Sequence, residues 1–108
     1  MAHPVLLTED AAQDLEELYD YLAEHDSPAA ANHVLERIEK AIESLVEFPR
    51  RGKHPEELMS LGIREYREVF FKPYRIIYRL IGDTVYVYVI ADGCRDMQTL
   101  LARRLLGA

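Results

Sequence analysis

The stretch Thr84–Ala91 constrains the fold of this chain more than any other. It reads Thr-Val-Tyr-Val-Tyr-Val-Ile-Ala, apolar or aromatic at almost every position. β-branched and aromatic residues in succession favour a strand. Alternation then puts Val85, Val87 and Val89 on one side and Tyr86, Tyr88 and Ile90 on the other. Neither side suits water, so this strand should be central and covered, at least in part, on both faces. The rest of the chain has to supply neighbouring strands and two covering layers.

The neighbours are legible. Tyr74–Ile81 alternates Arg75, Ile77, Arg79 and Ile81 with Tyr74, Ile76, Tyr78 and Leu80. Gly82-Asp83 joins it to Thr84, a two-residue connection with glycine first, as a type II′ hairpin requires. Ile63–Phe71 is rich in β-formers, and Pro4-Val5-Leu6-Leu7 reads as a short N-terminal strand. Between these lie two helical stripes. Thr8 offers an N-cap, with Glu9 and Asp10 in the first turn, where the helix dipole favours carboxylates. Ala11, Leu15, Leu18 and Leu22 then recur at helical spacing to about Glu24. Ser27-Pro28 is a second start, serine capping and proline in the first turn. Ala31, Val34, Leu35, Ile38, Ala41, Ile42 and Leu45 continue the stripe until Pro49. Helices joined by so short a link run antiparallel. Residues 49–62 read as a loop with one helical turn around Glu56–Leu61. Asp92-Gly93 is a turn, and Arg95–Leu106 is a last amphipathic helix. The expected fold class is α+β, one domain over residues 1–108. An N-terminal strand and an antiparallel helical hairpin pack on an antiparallel β-sheet, with a short C-terminal helix.

Composition narrows the function classes. Hydrophobic residues make up 49% and charged residues 30% of 108 positions, a soluble folded domain rather than a disordered one. No apolar run approaches the ~18 residues of a membrane span, and no secretory leader is expected. The lone cysteine, Cys94, fits the reducing cytoplasm. His3, His25, His33 and His54 are scattered without metal-ligand spacing, and no glycine-rich phosphate loop occurs, so neither metal nor cofactor is expected. His54 lies in a basic loop and is a conceivable general base. Cys94, beside an arginine, is a conceivable reactive thiol. The net charge of −6 is uneven: residues 1–49 hold twelve carboxylates and two basic residues, residues 50–108 seven and eleven. A local basic face can act where the average is acidic.

The arginines of the second half carry the sharpest signal. Arg64, Arg67, Arg75 and Arg79 fall on adjacent strands and Arg95 just after the last. Arginine on a sheet calls for an anionic or planar partner. Internal pairing with Glu65, Glu68, Asp92 or Asp96 is one way to meet that need. The other is an exposed basic patch of Arg64, Arg75, Arg79 and Arg95 that binds a target.

Taken in order, several segments resemble the RelE/ParE toxin superfamily. Asp14-Leu15, Tyr21, Ala29-Ala30-Ala31, Leu45 and Phe48-Pro49-Arg50-Arg51-Gly52 resemble the N-terminal half of ParE-type toxins. Gly62-Ile63-Arg64, Tyr74-Arg75-Ile76-Ile77-Tyr78-Arg79 and Asp92-Gly93-Cys94-Arg95-Asp96 resemble the strand core of the wider superfamily. The resemblance spans nearly the whole chain and implies the toxin half of a type II toxin–antitoxin pair. RelE-like members cleave messenger RNA on the ribosome with lysines, arginines and a C-terminal tyrosine or histidine. ParE-like members inhibit DNA gyrase and lack that set. Here Arg75 and Arg95 match ribonuclease arginines. The strand expected to bring lysines brings Arg64, Tyr66 and Glu68, and Leu101 stands where the tyrosine would. The resemblance therefore implies the ParE branch: a cytoplasmic gyrase inhibitor with no catalytic residue of its own, neutralised by a ParD-like antitoxin. The alternatives are a ribosome-dependent endoribonuclease of RelE type and a non-toxic antitoxin-binding module. Neither a membrane nor sequence-specific nucleic acid is an expected partner. Leu18, Leu22, Val34 and Leu105, apolar positions that a core of this size leaves uncovered, are the expected antitoxin contacts.

Overall fold

The computed structural model describes residues 2–107. In chain order the elements are β1 (Val5–Leu7), α1 (Glu9–His25), α2 (Pro28–Glu43), α3 (Glu56–Met59), β2 (Tyr66–Phe71), β3 (Tyr74–Ile81), β4 (Thr84–Asp92) and α4 (Met97–Leu106). Both helix starts are capped as their residue types dictate. The Thr8 hydroxyl accepts from the Ala11 N–H, and the Ser27 hydroxyl from the Ala30 N–H. Only Asp26 and Ser27 separate α1 from α2, and the two pack as the antiparallel hairpin expected.

The sheet order is β1-β4-β3-β2, so β4 is central. β2, β3 and β4 are antiparallel neighbours, but β1 runs parallel to β4, pairing Leu6 with Tyr86. The sheet is therefore mixed rather than wholly antiparallel. The cause is the helical hairpin. α1 runs on in the direction of β1, bringing Asp14 to Ile90, and α2 returns until the Val46 carbonyl meets the His3 N–H at the start of β1. β2 therefore sets out in the direction of β1, and the meander β2-β3-β4 gives β4 that direction too. The β3–β4 turn has φ +60° at Gly82 and no positive φ at Asp83, the type II′ pattern.

Two cores lie on opposite faces. On one, Ala11, Ile38, Ile42 and Leu45 of the helical hairpin segment meet Val69, Ile76, Tyr78, Val85, Val87 and Ile90. On the other, α3 and α4 bring Leu58, Met97, Leu100 and Leu101 against Tyr66, Ile77, Val89 and Ala91. β4 serves both through a bulge. Ile77 faces Val89 but Tyr78 faces Val87, which leaves Tyr88 without an opposite number. One extra residue reverses the alternation. Val87 therefore joins the first core and Val89 the second, whereas unbroken alternation would place them together.

β2 is shorter than the expected Ile63–Phe71. Gly62, at φ +77°, closes the turn after α3: its N–H donates to the Met59 carbonyl, and the Ile63 N–H to that of Leu58. That is a Schellman closure, and Ile63 belongs to it. The loop before α3 is pinned to β2 by a two-way bridge between Lys53 and Glu68. Gly52 donates its N–H to the Tyr78 hydroxyl, 3.0 Å. A Cβ at Gly52 would come within 2.6 Å of both that hydroxyl and the Glu68 carbonyl, so no larger residue fits. Burial pushes the Tyr78 phenol up.

Candidate functional site

The four arginines expected to form one patch do not come together. Arg75 is tied inside the molecule. Its Nε donates to Glu68 Oε1 at 2.6 Å, and Nη1 and Nη2 donate to Glu57 Oε2 and Oε1 at 2.8 and 2.7 Å. Glu68 is 3% exposed and is a buried charge for which Arg75 supplies the counter-ion. Hydrogen bonding to Glu57 raises the guanidinium pKa further, and the same contact holds the Glu57 carboxyl below the usual carboxylate range. Arg75 is thus not part of an exposed patch. Glu68 was among the partners expected from the sequence. Glu57 was not, because the helical turn expected around Glu56–Leu61 carries no local signal that it folds back over the sheet.

Arg79 lies on the same sheet face as Arg75, away from the helical hairpin. It stacks over Tyr66, with its Cζ 5.7 Å from the ring centroid, and sits opposite Tyr66 and Tyr86 in the ladder. Arg64 is exposed just before β2, near that end of the sheet. Arg95 is exposed beyond the far end of β4. Arg79 and Tyr74, which pairs with Asp92, are five residues apart on β3, roughly 17 Å. The basic surface therefore divides into an Arg64–Arg79 end and a separate Arg95 end. Arg67 donates to the Arg50 and Gly52 carbonyls and holds the loop rather than facing outward.

The four leucine and valine positions also differ from expectation. Leu18, Leu22 and Val34 are half-buried, packed against the hairpin-side core, and Leu105 is half-buried against the other. The two-faced sheet gives these side chains somewhere to go. The large apolar side chains left most open are Phe48 (63%) and Tyr21 (59%). Leu18 and Leu22 do retain one open side. With Glu17, Tyr21, Tyr74, Asp92 and Arg95 they line a groove of about 410 Å³ between α1 and the end of β4.

Beside this groove lies an ion pair that sequence reasoning missed. Asp14 of α1 accepts from Arg104 of α4 through both oxygens, at 3.0 and 2.9 Å. Asp14 Oδ2 also accepts from the Ile90 N–H at 3.0 Å, and Arg104 Nη2 donates to the Tyr88 carbonyl at 2.9 Å. Both backbone groups lie on the β4 edge past the end of β1. The pair fills the hydrogen bonds a longer strand would make and clasps helices on opposite faces. Asp14 and Arg104 stand ninety residues apart, and no spacing rule connects them.

His54 donates its Nδ1–H to the Tyr66 carbonyl, 3.0 Å. Cys94 is exposed, but neighbouring Asp92 raises its pKa, the opposite of thiol activation. Among the described residues no three His, Cys, Asp or Glu side chains are grouped to hold a metal ion, and no helix is long and apolar enough to cross a membrane.

Comparison with known proteins gives consistent matches. Residues 5–97 match the family model described as ParE toxin of type II toxin-antitoxin system, parDE. Toxin ParE3 of Caulobacter vibrioides is 29% identical over 100 residues, covering 93% of this chain and 96% of that one. Toxin RelE2 of the same organism is 33% identical over 91 residues, covering 84% and 96%. The fold is shared with a structure of the chromosomal ParDE toxin–antitoxin system from P. aeruginosa, TM-score 0.70 at 19% identity, covering 84% of this chain and 96% of that one.

Proposed function

Since the chain belongs to the ParE toxin family of type II toxin–antitoxin systems, we propose that it acts by inhibiting DNA gyrase in the cytoplasm and is neutralised by a ParD-like antitoxin. The observation that carries this reading is the state of Arg75. A ribonuclease arginine has to offer its guanidinium to a phosphate, whereas Arg75 already faces two carboxylates. An incoming phosphate would have to displace Glu57 and would still meet the buried Glu68. Leu101, at the position where a ribonuclease would carry a tyrosine, is fully buried and moves no proton. Exposed Arg64 and half-buried Arg79, neither in an ion pair with a described residue, are the proposed target contacts at one end of the sheet, with Arg95 a separate one.

The partner is an antitoxin protein. Its tail is proposed to lie across the helices and the sheet edge, the groove and strand-addition modes of peptide recognition. Leu18 and Leu22 are its contacts, with Tyr21 beside them. Val34 and Leu105 serve mainly as packing.

Expression of the toxin should trigger the DNA-damage response and filamentation while bulk messenger RNA stays intact. The purified protein should inhibit supercoiling by gyrase. The likeness to RelE2 keeps one competing reading in view, ribosome-dependent cleavage of messenger RNA. Codon-position cuts soon after induction, with gyrase unaffected, would establish that reading and defeat this one. Expression without any growth defect would leave only an antitoxin-binding module.

A further inference from the structure

Strand register carries one row of side chains straight across the sheet. Leu6 of β1 pairs with Tyr86 of β4, Tyr86 with Arg79 of β3, and Arg79 with Tyr66 of β2. Their chain neighbours Val5, Leu7, Tyr78, Val85 and Val87 pack into the hairpin-side core, so the row points to the other face. Strands lie about 4.8 Å apart, which makes the row roughly 14 Å long. Further along, α3 and α4 seal that face over Ile77, Val89 and Ala91. The row is left open: Leu6 is 52% exposed, and Tyr86 and Arg79 are half-buried. Ile81, two residues past Arg79 on the same face, is 44% exposed.

Arg79 gives the row its chemistry. Its guanidinium lies over the buried Tyr66 ring, which the Tyr88 ring meets edge-on. Arg75, four residues back on the same strand face, is held by two carboxylates. Arg79 makes no ion pair with any described residue. A guanidinium offers five N–H donors in a planar fork that matches a carboxylate. Arginine and tyrosine framed by apolar side chains are also what the centre of a protein interface is made of. A phosphate would fit the fork, but a nucleic acid does not fit the frame. Leu6 and Ile81 offer it no donor, Glu65 adjoins Tyr66, Asp83 stands in the β3–β4 turn, and the chain carries a net charge of −6.

We infer that this row is a protein-docking surface whose partner presents an acidic segment with apolar flanks. A carboxylate of that segment accepts from the Arg79 fork, and the aliphatic side chains beside it lie against Leu6, Tyr86 and Ile81. The surface is distinct from the groove under α1: the row crosses the sheet near the start of β4, whereas the groove lies at the end of β4. The inference rests on the target contact proposed above for Arg79 and deepens it. Arg79 becomes the centre of an apolar surface, Leu6, Tyr86 and Ile81 become its frame, and the sign of the partner's charge is fixed as negative.

The probe is a blocked heptapeptide of alternating leucine and glutamate, titrated into the isotopically labelled full-length protein, with the leucine–glutamine counterpart as control. The glutamate peptide should shift the backbone amides of Leu6, Arg79, Ile81 and Tyr86 and the Nε–H of Arg79. The glutamine peptide should bind at least about fivefold more weakly at low salt, and the gap should close in high salt. Arg79→Gln should bind the two peptides equally. Ile81→Glu, at an exposed position, should weaken the glutamate peptide roughly threefold to fivefold without changing the melting temperature. No binding, equal binding of both peptides by the unaltered protein, or shifts centred on Leu18 and Leu22 would overturn the proposal. So would a thymidine hexanucleotide that shifts the row where the glutamate peptide does not. Supercoiling assays separate the two levels. Inhibition of gyrase indifferent to Ile81→Glu and Leu6→Ser removes the row and leaves the gyrase reading standing. Absence of inhibition, with the glutamate peptide still seated on the row, removes the gyrase reading alone.

Discussion

Arg75 and Arg95 look equivalent in the sequence and are opposites in the fold. Arg75 is the counter-ion of a carboxylate that is 3% exposed, while Arg95 is exposed and forms no ion pair among the described residues. Replacing Arg75 by Ala leaves Glu68 buried and unpaired, a change that costs about 3–5 kcal/mol. The melting temperature should fall by more than about 10 °C. Arg95→Ala should change stability by less than about 0.5 kcal/mol. Thermal melts of the two variants side by side check this, and equal melting would contradict the pairing described. Glu57 adds a pH dependence whose sign follows from its shift. Its folded-state pKa lies below the ordinary value, so its contribution is present above about pH 4.5 and is lost as pH falls through the lowered value. Denaturant unfolding of Glu57→Gln should show a shallower loss of stability than wild type between about pH 5 and pH 3. A slope identical to wild type would assign the acid sensitivity to other carboxylates.

At the scale of elements, the structure turns on how β4 is framed. Its bulge at Tyr88 lets one strand feed two cores, and its edge past β1 is completed by Asp14 and Arg104. Arg104→Lys keeps the charge but loses the planar fork that reaches both Asp14 oxygens and the Tyr88 carbonyl. The amides of α4 should then exchange with solvent at least about tenfold faster, corresponding to a loss of some 1.4 kcal/mol. Hydrogen exchange read by mass spectrometry on the C-terminal peptide tests this, and unchanged protection there would show that the apolar contacts of α4 suffice. The hairpin, the three-strand meander and the central place of β4 were legible because each rests on local signals: caps at Thr8 and Ser27, period-2 alternation, and Gly82 in a two-residue turn. The bulge was not. Val85, Val87 and Val89 read as one face in any window, and only the packing of α4 against Val89 shows that the face changes.

For the molecule as a whole, family and fold could be read from ordered motifs, whereas the site could be read only in part. Arg75 was found by its motif and placed in an exposed patch, with pairing to Glu68 as the alternative that the fold adopts. Its partner Glu57 and the Asp14–Arg104 clasp depend on contacts between segments that no sequence period relates. The uneven charge acquires a spatial meaning: Asp14 and Glu17 of α1 border the groove, and Arg79 stands on the opposite sheet face. The parallel pairing of β1 with β4 has a consequence for biosynthesis. Domains fold as units as the chain emerges N-terminus first. Here β1 waits for β4, made some eighty residues later, and Asp14 waits for Arg104. A nascent chain halted before Thr84 carries an N-terminal strand with no partner and a helical hairpin whose sheet lacks its centre. Closure of the sheet is therefore timed by the arrival of β4, however early the two helices have formed.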